Sequence, residues 1–315
     1  MRSNAHGLAP AAALLLGSLS TNAFATDVSD ELSAGALASS RHGSSPFVSD
    51  RLGGSLDATD ELALSVDATF TRYFKSRAAS AESILQLDGA VDYAPDDHWA
   101  FGADVRGSPP STVTVPDATG TKYSYRSSLI GGGLSAEYDT AGEGDLETIG
   151  DTYLGLTSFR TTQRSKVPGS PKTTPPSLLQ WRLSLGLTEV LWQNTEVGLT
   201  GTYYLYSDDP VDTGYNGTSV GGRGGVGDGV PLEPLRWALR PMVRERFGPV
   251  KLGAYVQYGR YVDDTGYSVM MALKVQWKVT EDVRLWGQLG FQHDRDHTGE
   301  TLSIPWGSVG ARVML

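Results

Sequence analysis

Apolar and polar positions alternate along this chain with a period of two, in short runs separated by turn-forming residues. The clearest case spans residues 267 to 294. Val269, Met271, Leu273, Val275, Trp277 and Val279 fall on one side of an extended chain, and Ser268, Ala272, Lys274, Gln276 and Lys278 on the other. After Thr280-Glu281-Asp282, the positions Val283, Leu285, Leu289 and Phe291 alternate against Arg284, Gln288 and Gln292. Side chains of a strand change face at every residue, so the segment reads as a two-strand hairpin with one apolar and one polar face. About ten residues of alternation per strand suit a tilted strand crossing the hydrocarbon layer of a membrane.

The pattern recurs at 62–71, 85–93, 99–106, 181–187, 197–205, 235–244, 251–258 and 309–315. It is less clean at 123–138 and 146–159, where a bulge near Gly131-Gly132-Gly133 is expected. Short turns at 57–61, 94–98, 139–145, 193–196, 248–249 and 280–282 alternate with longer segments rich in Gly, Pro, Ser and Asp. Those lie at 75–82, 107–122, 160–177, 207–233, 261–266 and 294–301. A soluble sandwich has no reason to segregate loop lengths in this way. A transmembrane barrel does, with short periplasmic turns and long extracellular loops. About twelve strands follow Leu62, and Glu31–Ala38 with Asp50–Leu56 supply a further pair. The expected fold is therefore all-β, an antiparallel transmembrane β-barrel of about 14 strands. The alternative has 12 strands and leaves residues 26–47 as a periplasmic tail or plug.

Aromatic residues sharpen the membrane reading. Tyr93, Trp99, Tyr138, Trp192, Phe247 and Trp277 lie beside the short turns; Tyr73, Phe74, Tyr206, Tyr258, Tyr261, Tyr267 and Phe291 lie beside the long segments. Two such belts are what the two membrane interfaces select. Residues 1–25 read as a secretory signal peptide: Arg2, a short Ala/Leu run from Leu8 to Leu19, and the small-x-small site Ala23-Phe24-Ala25. The barrel then occupies 26–315. Glycine counts 38 of 315 residues, well above the average near 7%. The chain has no cysteine, which excludes disulfide and thiolate chemistry, and its net charge of −10 argues against nucleic acid as a partner.

On these grounds the chain resembles the bacterial outer membrane β-barrels, porin-like in the broad sense. The resemblance is one of architecture over nearly the whole mature chain and matches no particular family by motif. It implies an outer membrane location, with membrane lipids and lipopolysaccharide as surroundings. It also implies a last strand read by the barrel assembly machinery: Val309, Ala311, Val313 and Leu315 against Gly310, Arg312 and Met314. That family usually ends on an aromatic residue, whereas this chain ends on Leu315.

The polar face carries the candidate chemistry. Charges facing lipid cost about 2–4 kcal/mol each near the midplane, so they are expected to face inward. Asp67, Asp88 and Asp104, with Asp92, Glu137, Glu147 and Asp151, belong to the first half of the chain. Arg182, Arg236, Arg240, Arg244, Lys274, Lys278 and Arg284, with Lys251 and Arg312, belong to the second. In a closed barrel these halves form opposite walls, so the named aspartates, arginines and lysines are the expected pore-lining residues of a water-filled lumen. The function expected is passive diffusion of small hydrophilic solutes, with no enzyme activity, cofactor or bound metal. The alternatives are a transporter for hydrophobic substrates with an N-terminal plug, a structural or adhesive barrel, and a rim hydrolase of the omptin type. The last would rest on His293-Asp294-Arg295-Asp296-His297, which otherwise reads as a solvated loop tip able to hold a divalent ion. No pattern in the sequence brings Ser303 near a histidine. Gly222-Arg223-Gly224-Gly225-Val226-Gly227 spells GxGxxG, but no buried strand precedes it and Pro231 follows, so it reads as a loop.

Overall fold

The computed structural model describes residues 26–39, 43–74, 82–116, 122–139, 146–164, 177–192, 194–207, 235–262, 265–295 and 299–315. They form fourteen strands. The first seven are β1 (Thr26–Ser39), β2 (Gly43–Asp57), β3 (Leu62–Tyr73), β4 (Glu82–Tyr93), β5 (Trp99–Pro116), β6 (Lys122–Asp139) and β7 (Leu146–Arg164). The others are β8 (Ser177–Trp192), β9 (Thr195–Tyr206), β10 (Leu235–Phe247), β11 (Val250–Tyr261), β12 (Tyr267–Lys278), β13 (Val283–Arg295) and β14 (Thr301–Met314). Each strand pairs antiparallel with its neighbours in sequence, and β1 also pairs with β14, so the sheet closes without an edge. Closure leaves no unpaired backbone row, which is the condition for a sheet to cross lipid.

The larger strand count is the right one. Residues 26–39 and 43–47 lie within β1 and β2, so the plug or tail alternative is overturned: Ser29 to Leu37 pair in unbroken register with β14. Three further expectations are corrected. The register of β6 against β7 runs straight through Gly131, Gly132 and Gly133; the irregularity lies on β5, between Ser108 and Ser111, where Pro109 and Pro110 cannot donate to a ladder. Residues 107–116, read as loop, continue β5. Thr195 and Glu196, read as turn, already belong to β9.

The two faces differ in kind. Leu32, Val105, Ile130, Leu185, Leu273 and Leu289 are each more than half exposed, all at outward positions. So large an apolar surface suits lipid rather than water. At the short-turn end, Trp99, Phe101 and Tyr138 form a cluster: Phe101 stacks on Trp99 with centroids 5.7 Å apart and Tyr138 tilts against it at 4.7 Å. The turn before them is fixed by Asp96, whose carboxylate accepts the backbone N–H groups of His98 and Trp99, both at 2.8 Å. Those two bonds hold its carboxyl below the ordinary carboxylate range.

Not every aromatic expected at the interfaces lies there. Tyr73 and Tyr261 point inward: Tyr73 packs against Phe47 with ring centroids 5.7 Å apart, and Tyr261 is almost fully buried. Tyr206 also turns in, its hydroxyl donating to the Leu235 carbonyl at 2.8 Å.

The outer face carries one polar blemish. Asp30 on β1 and Asp50, midway along β2, are exposed on the same side as Leu32 and Val48 and stand diagonally across the ladder from each other. Carboxylates facing lipid are destabilising, though less so than Lys or Arg. Asp50→Leu is expected to raise the urea midpoint of the barrel refolded in lipid, reflecting a gain of about 1–2 kcal/mol at most in unfolding free energy. A fall in that midpoint would show that the Asp30–Asp50 pair is structurally required.

Candidate functional site: the charged lumen

The inner face of β2 to β5 is acidic in composition, and two of its aspartates are paired with arginines. Asp67 and Asp88 stand directly opposite each other on β3 and β4. Like charges so placed repel. Two arginines resolve the repulsion. Arg51 forks onto Asp67, Nε donating to Oδ1 at 3.1 Å and Nη2 to Oδ2 at 2.9 Å. Arg106 Nε donates to Asp88 Oδ1 at 2.6 Å, and the Gln86 amide reaches both Asp88 oxygens at 3.1 and 2.8 Å. Gly53, opposite Asp67, leaves room for this: a Cβ there would lie 2.4 Å from Asp67 Oδ1. Asp104 shares this face as the second step before Arg106 on β5. Sequence reasoning missed both Arg51 and Arg106. Extending the period of two back through Ser49 and Arg51 would have found the first.

The inner face of β8 to β14 is basic. Arg182 lies inward on β8 between outward Trp181 and Leu183. Arg240 lays its guanidinium over the ring of Tyr255, Cζ 3.9 Å from the centroid. Arg244 reaches Glu196 at 3.3 Å, with both side chains exposed. Lys274 Nζ sits 5.8 Å from the centre of the Trp286 indole. Lys278 pairs with Glu281 of the following turn and holds that carboxyl below its ordinary value. Lys278 faces Arg284 and Arg284 faces Arg312 across the strands, three cations in one row. Arg312 Nη2 donates to Ser29 Oγ at 3.0 Å across the closure seam. Arg236 departs from the expected column. A bulge between Leu235 and Trp237 breaks the alternation there, burying Leu235 inward and setting Trp237 against outward Tyr258.

The inner wall is also more apolar than the sequence suggested. On β13 and β14, Trp286 faces Gly310 and Gly290 faces Trp306. A Cβ on Gly290 would lie 2.1 Å from the Trp306 indole, and one on Gly310 would lie 2.6 Å from that of Trp286. Each indole therefore lies flat on a bare glycine of the neighbouring strand. Phe47 lies over Gly35 in the same way, at 2.6 Å. Trp306, Met270 and Ala272 form a buried cluster that Tyr255 completes. Toward the long-loop end the inward side chains Phe47, Thr71, Leu235, Tyr261, Met270, Gln292, Asp294 and Leu302 are buried. Toward the short-turn end Lys251, Lys274, Gln276, Lys278 and Arg284 are inward yet exposed. The wet part of the lumen is thus the short-turn half, the periplasmic side of an outer membrane barrel.

The rim cluster divides. Asp296 and His297 lie outside the described residues, as do the loop 208–234 with its glycine motif and the pair Asp263-Asp264. His293 and Ser303 are direct cross-strand partners at the long-loop end, with Nδ1 and Oγ 3.1 Å apart, which corrects the expectation that nothing brings Ser303 near a histidine. His293 shares the outward face with Phe291, and its ring centroid is 6.2 Å from that of Tyr267.

The chain matches no protein-family model and no curated protein sequence. It is similar in structure to the toluene transporter TodX of Pseudomonas putida, with TM-score 0.51 and 12% identity over 96% of this chain and 92% of that one. It is similar to CdiB from Acinetobacter baumannii, with TM-score 0.50 and 9% identity over 90% of this chain and 60% of that one. It is similar also to the translocator domain of the autotransporter NalP from Neisseria meningitidis, with TM-score 0.48 and 10% identity over 98% and 95%. Closed strand pairing, an apolar outer band and a charged inner face agree with the likenesses to TodX and CdiB in one respect: the chain has the fold of a bacterial outer membrane β-barrel.

Proposed function

We propose that the chain is a channel of the bacterial outer membrane that passes small hydrophilic solutes by diffusion, and that it is not an enzyme. The observation that carries this reading is the row of inward, water-exposed charges on β10 to β13: Arg244, Lys251, Lys274, Lys278 and Arg284. Long charged side chains left exposed inside a closed barrel imply water beside them. On the wall of β2 to β5, Arg51 and Arg106 offset Asp67 and Asp88, which weakens its field relative to the exposed cations of the basic wall. The channel is therefore expected to favour anions although the chain as a whole carries −10.

Reversal potentials of the refolded protein in planar bilayers under a salt gradient test this. Changing Arg240 and Arg244 together to Gln should move selectivity toward cations. The change should fade at 1 M salt, where screening shortens to about 3 Å. Changing Asp67, Asp88 and Asp104 to Asn should move it toward anions by less than a fully exposed trio would, because Arg51 and Arg106 already hold two of the three. A wild-type barrel that carries no current sinks the reading. The buried aromatic side chains of the long-loop half support a second reading, passage of apolar solutes; uptake of such a solute without ionic current would favour it.

A further inference from the structure

The inner face holds a bare floor ringed by cations. Gly253 on β11 stands between Arg244 on β10 and Lys274 on β12, its direct partners across the two ladders. Along its own strand the next inward residues are Lys251 and Tyr255, and Arg240 rests on the Tyr255 ring. A Cβ added to Gly253 would meet only Arg244 Cγ at 3.7 Å and the Val243 carbonyl at 3.9 Å, which is ordinary contact. The floor is thus open, and the four cations project around it in the wet half of the lumen. Among the described residues, the carboxylate paired with this group is Glu196, 3.3 Å from Arg244. Four cations against one carboxylate leave three positive charges, more than a monovalent anion offsets. The arginines are fixed as donors: Arg240 by stacking on one face, which leaves its N–H edge for the lumen, and Arg244 by Glu196. Gln288 and Gln276 stand directly opposite Lys274 and Lys251 and add amide groups to the rim.

From this arrangement we infer a binding site for a small tetrahedral dianion, phosphate or a phosphate monoester, seated over Gly253 and held by Arg240, Arg244, Lys251 and Lys274. The inference names the solute class of the channel reading, but the site stands or falls on its own. Planar guanidinium forks and ammonium donors around a flat patch match several phosphate oxygens at once, which chloride cannot exploit. A residue without a side chain lets the anion approach the wall more closely than any other would.

Isothermal titration of inorganic phosphate, and separately of glycerol 3-phosphate, into the refolded chain in zwitterionic detergent at low salt tests the site. One saturable event is expected, about tenfold weaker in Lys274→Gln by loss of one charge-assisted bond, and absent in Gly253→Val. Valine suits a strand and should leave the heat-modifiable gel shift intact, so folding is checked independently. Binding of both probes places the ester group outside the cradle, and binding of inorganic phosphate alone assigns the site to the free ion; either supports it. Phosphate heats unchanged in Gly253→Val, or matched by chloride, overturn it. In bilayers, phosphate should reduce the chloride current of the wild type and not of Gly253→Val. A barrel that binds phosphate but passes no current would remove the channel reading and keep the site. One that conducts without binding phosphate would do the reverse.

Discussion

Replacing Gly290 by valine is expected to lower the stability of the barrel by about 3–5 kcal/mol, the range for losing a large buried aromatic side chain. The reason is the Trp306 indole, whose ring atoms would lie 2.1 Å from the new Cβ. No rotamer adjustment of a valine relieves so close an approach, because the Cβ itself is at fault. The indole must leave its bed, and with it goes the cluster it makes with Met270 and Ala272. Urea unfolding in lipid measures the loss. Trp306→Ala should cost a similar amount, and the double variant Gly290→Val with Trp306→Ala should cost clearly less than the sum, since both remove one contact. Additive losses would show that the two residues act separately.

Arg106→Leu is expected to be the most damaging charge substitution in the lumen, at about 2–3 kcal/mol. Arg106 is buried and meets Asp88 at 2.6 Å; the Asp88 side chain keeps 24% of its exposure. Breaking a fully buried pair costs about 3–5 kcal/mol, and water on Asp88 discounts that figure. What remains after the change is Asp67 facing Asp88, with Arg51 on Asp67 and the uncharged Gln86 amide on Asp88. Adding Asp88→Leu should therefore recover much of the stability, since the orphaned carboxylate is the source of the cost. If the double variant is worse than the single one, the arginine acts by packing and not by charge.

The architecture was legible because lipid on one side and water on the other force a period of two on each strand. That signal survives without any relatives, and it gave β12 and β13 nearly to the residue. It failed where the inner face is not polar. Trp286 fell between Leu285 and Gly287 and was passed over, because an inward tryptophan contradicts the simple rule. Gly310 read only as a polar-face position of the last strand, and Gly290 drew no notice. Their meaning lies in cross-strand register, which a linear reading does not contain. For the charges, sign and face were readable, but pairing was not. Asp67 and Asp88 read as part of an unpaired acidic wall, whereas Arg51 and Arg106, on the strands to either side, already pair with both. Tyr261 and Tyr206 were misplaced for a related reason: an aromatic residue near a strand end reads the same whether it faces lipid or lumen.

The reciprocal seating of Trp286 on Gly310 and Trp306 on Gly290 also bears on how the last hairpin finds its alignment. If β14 slid two residues along β13, the inside-outside pattern would be preserved, so hydrophobicity alone would not object. Trp306 would then sit against Gln288 or Gln292, and Trp286 against Ser308 or Arg312, each indole meeting a side chain where it now meets none. Both beds would be lost in a single step. The two tryptophans and their glycines thus work as a lock and key cut twice into the same edge, one that admits a single alignment. Since β14 is also the strand that meets β1, an error there would leave the whole cylinder unable to shut.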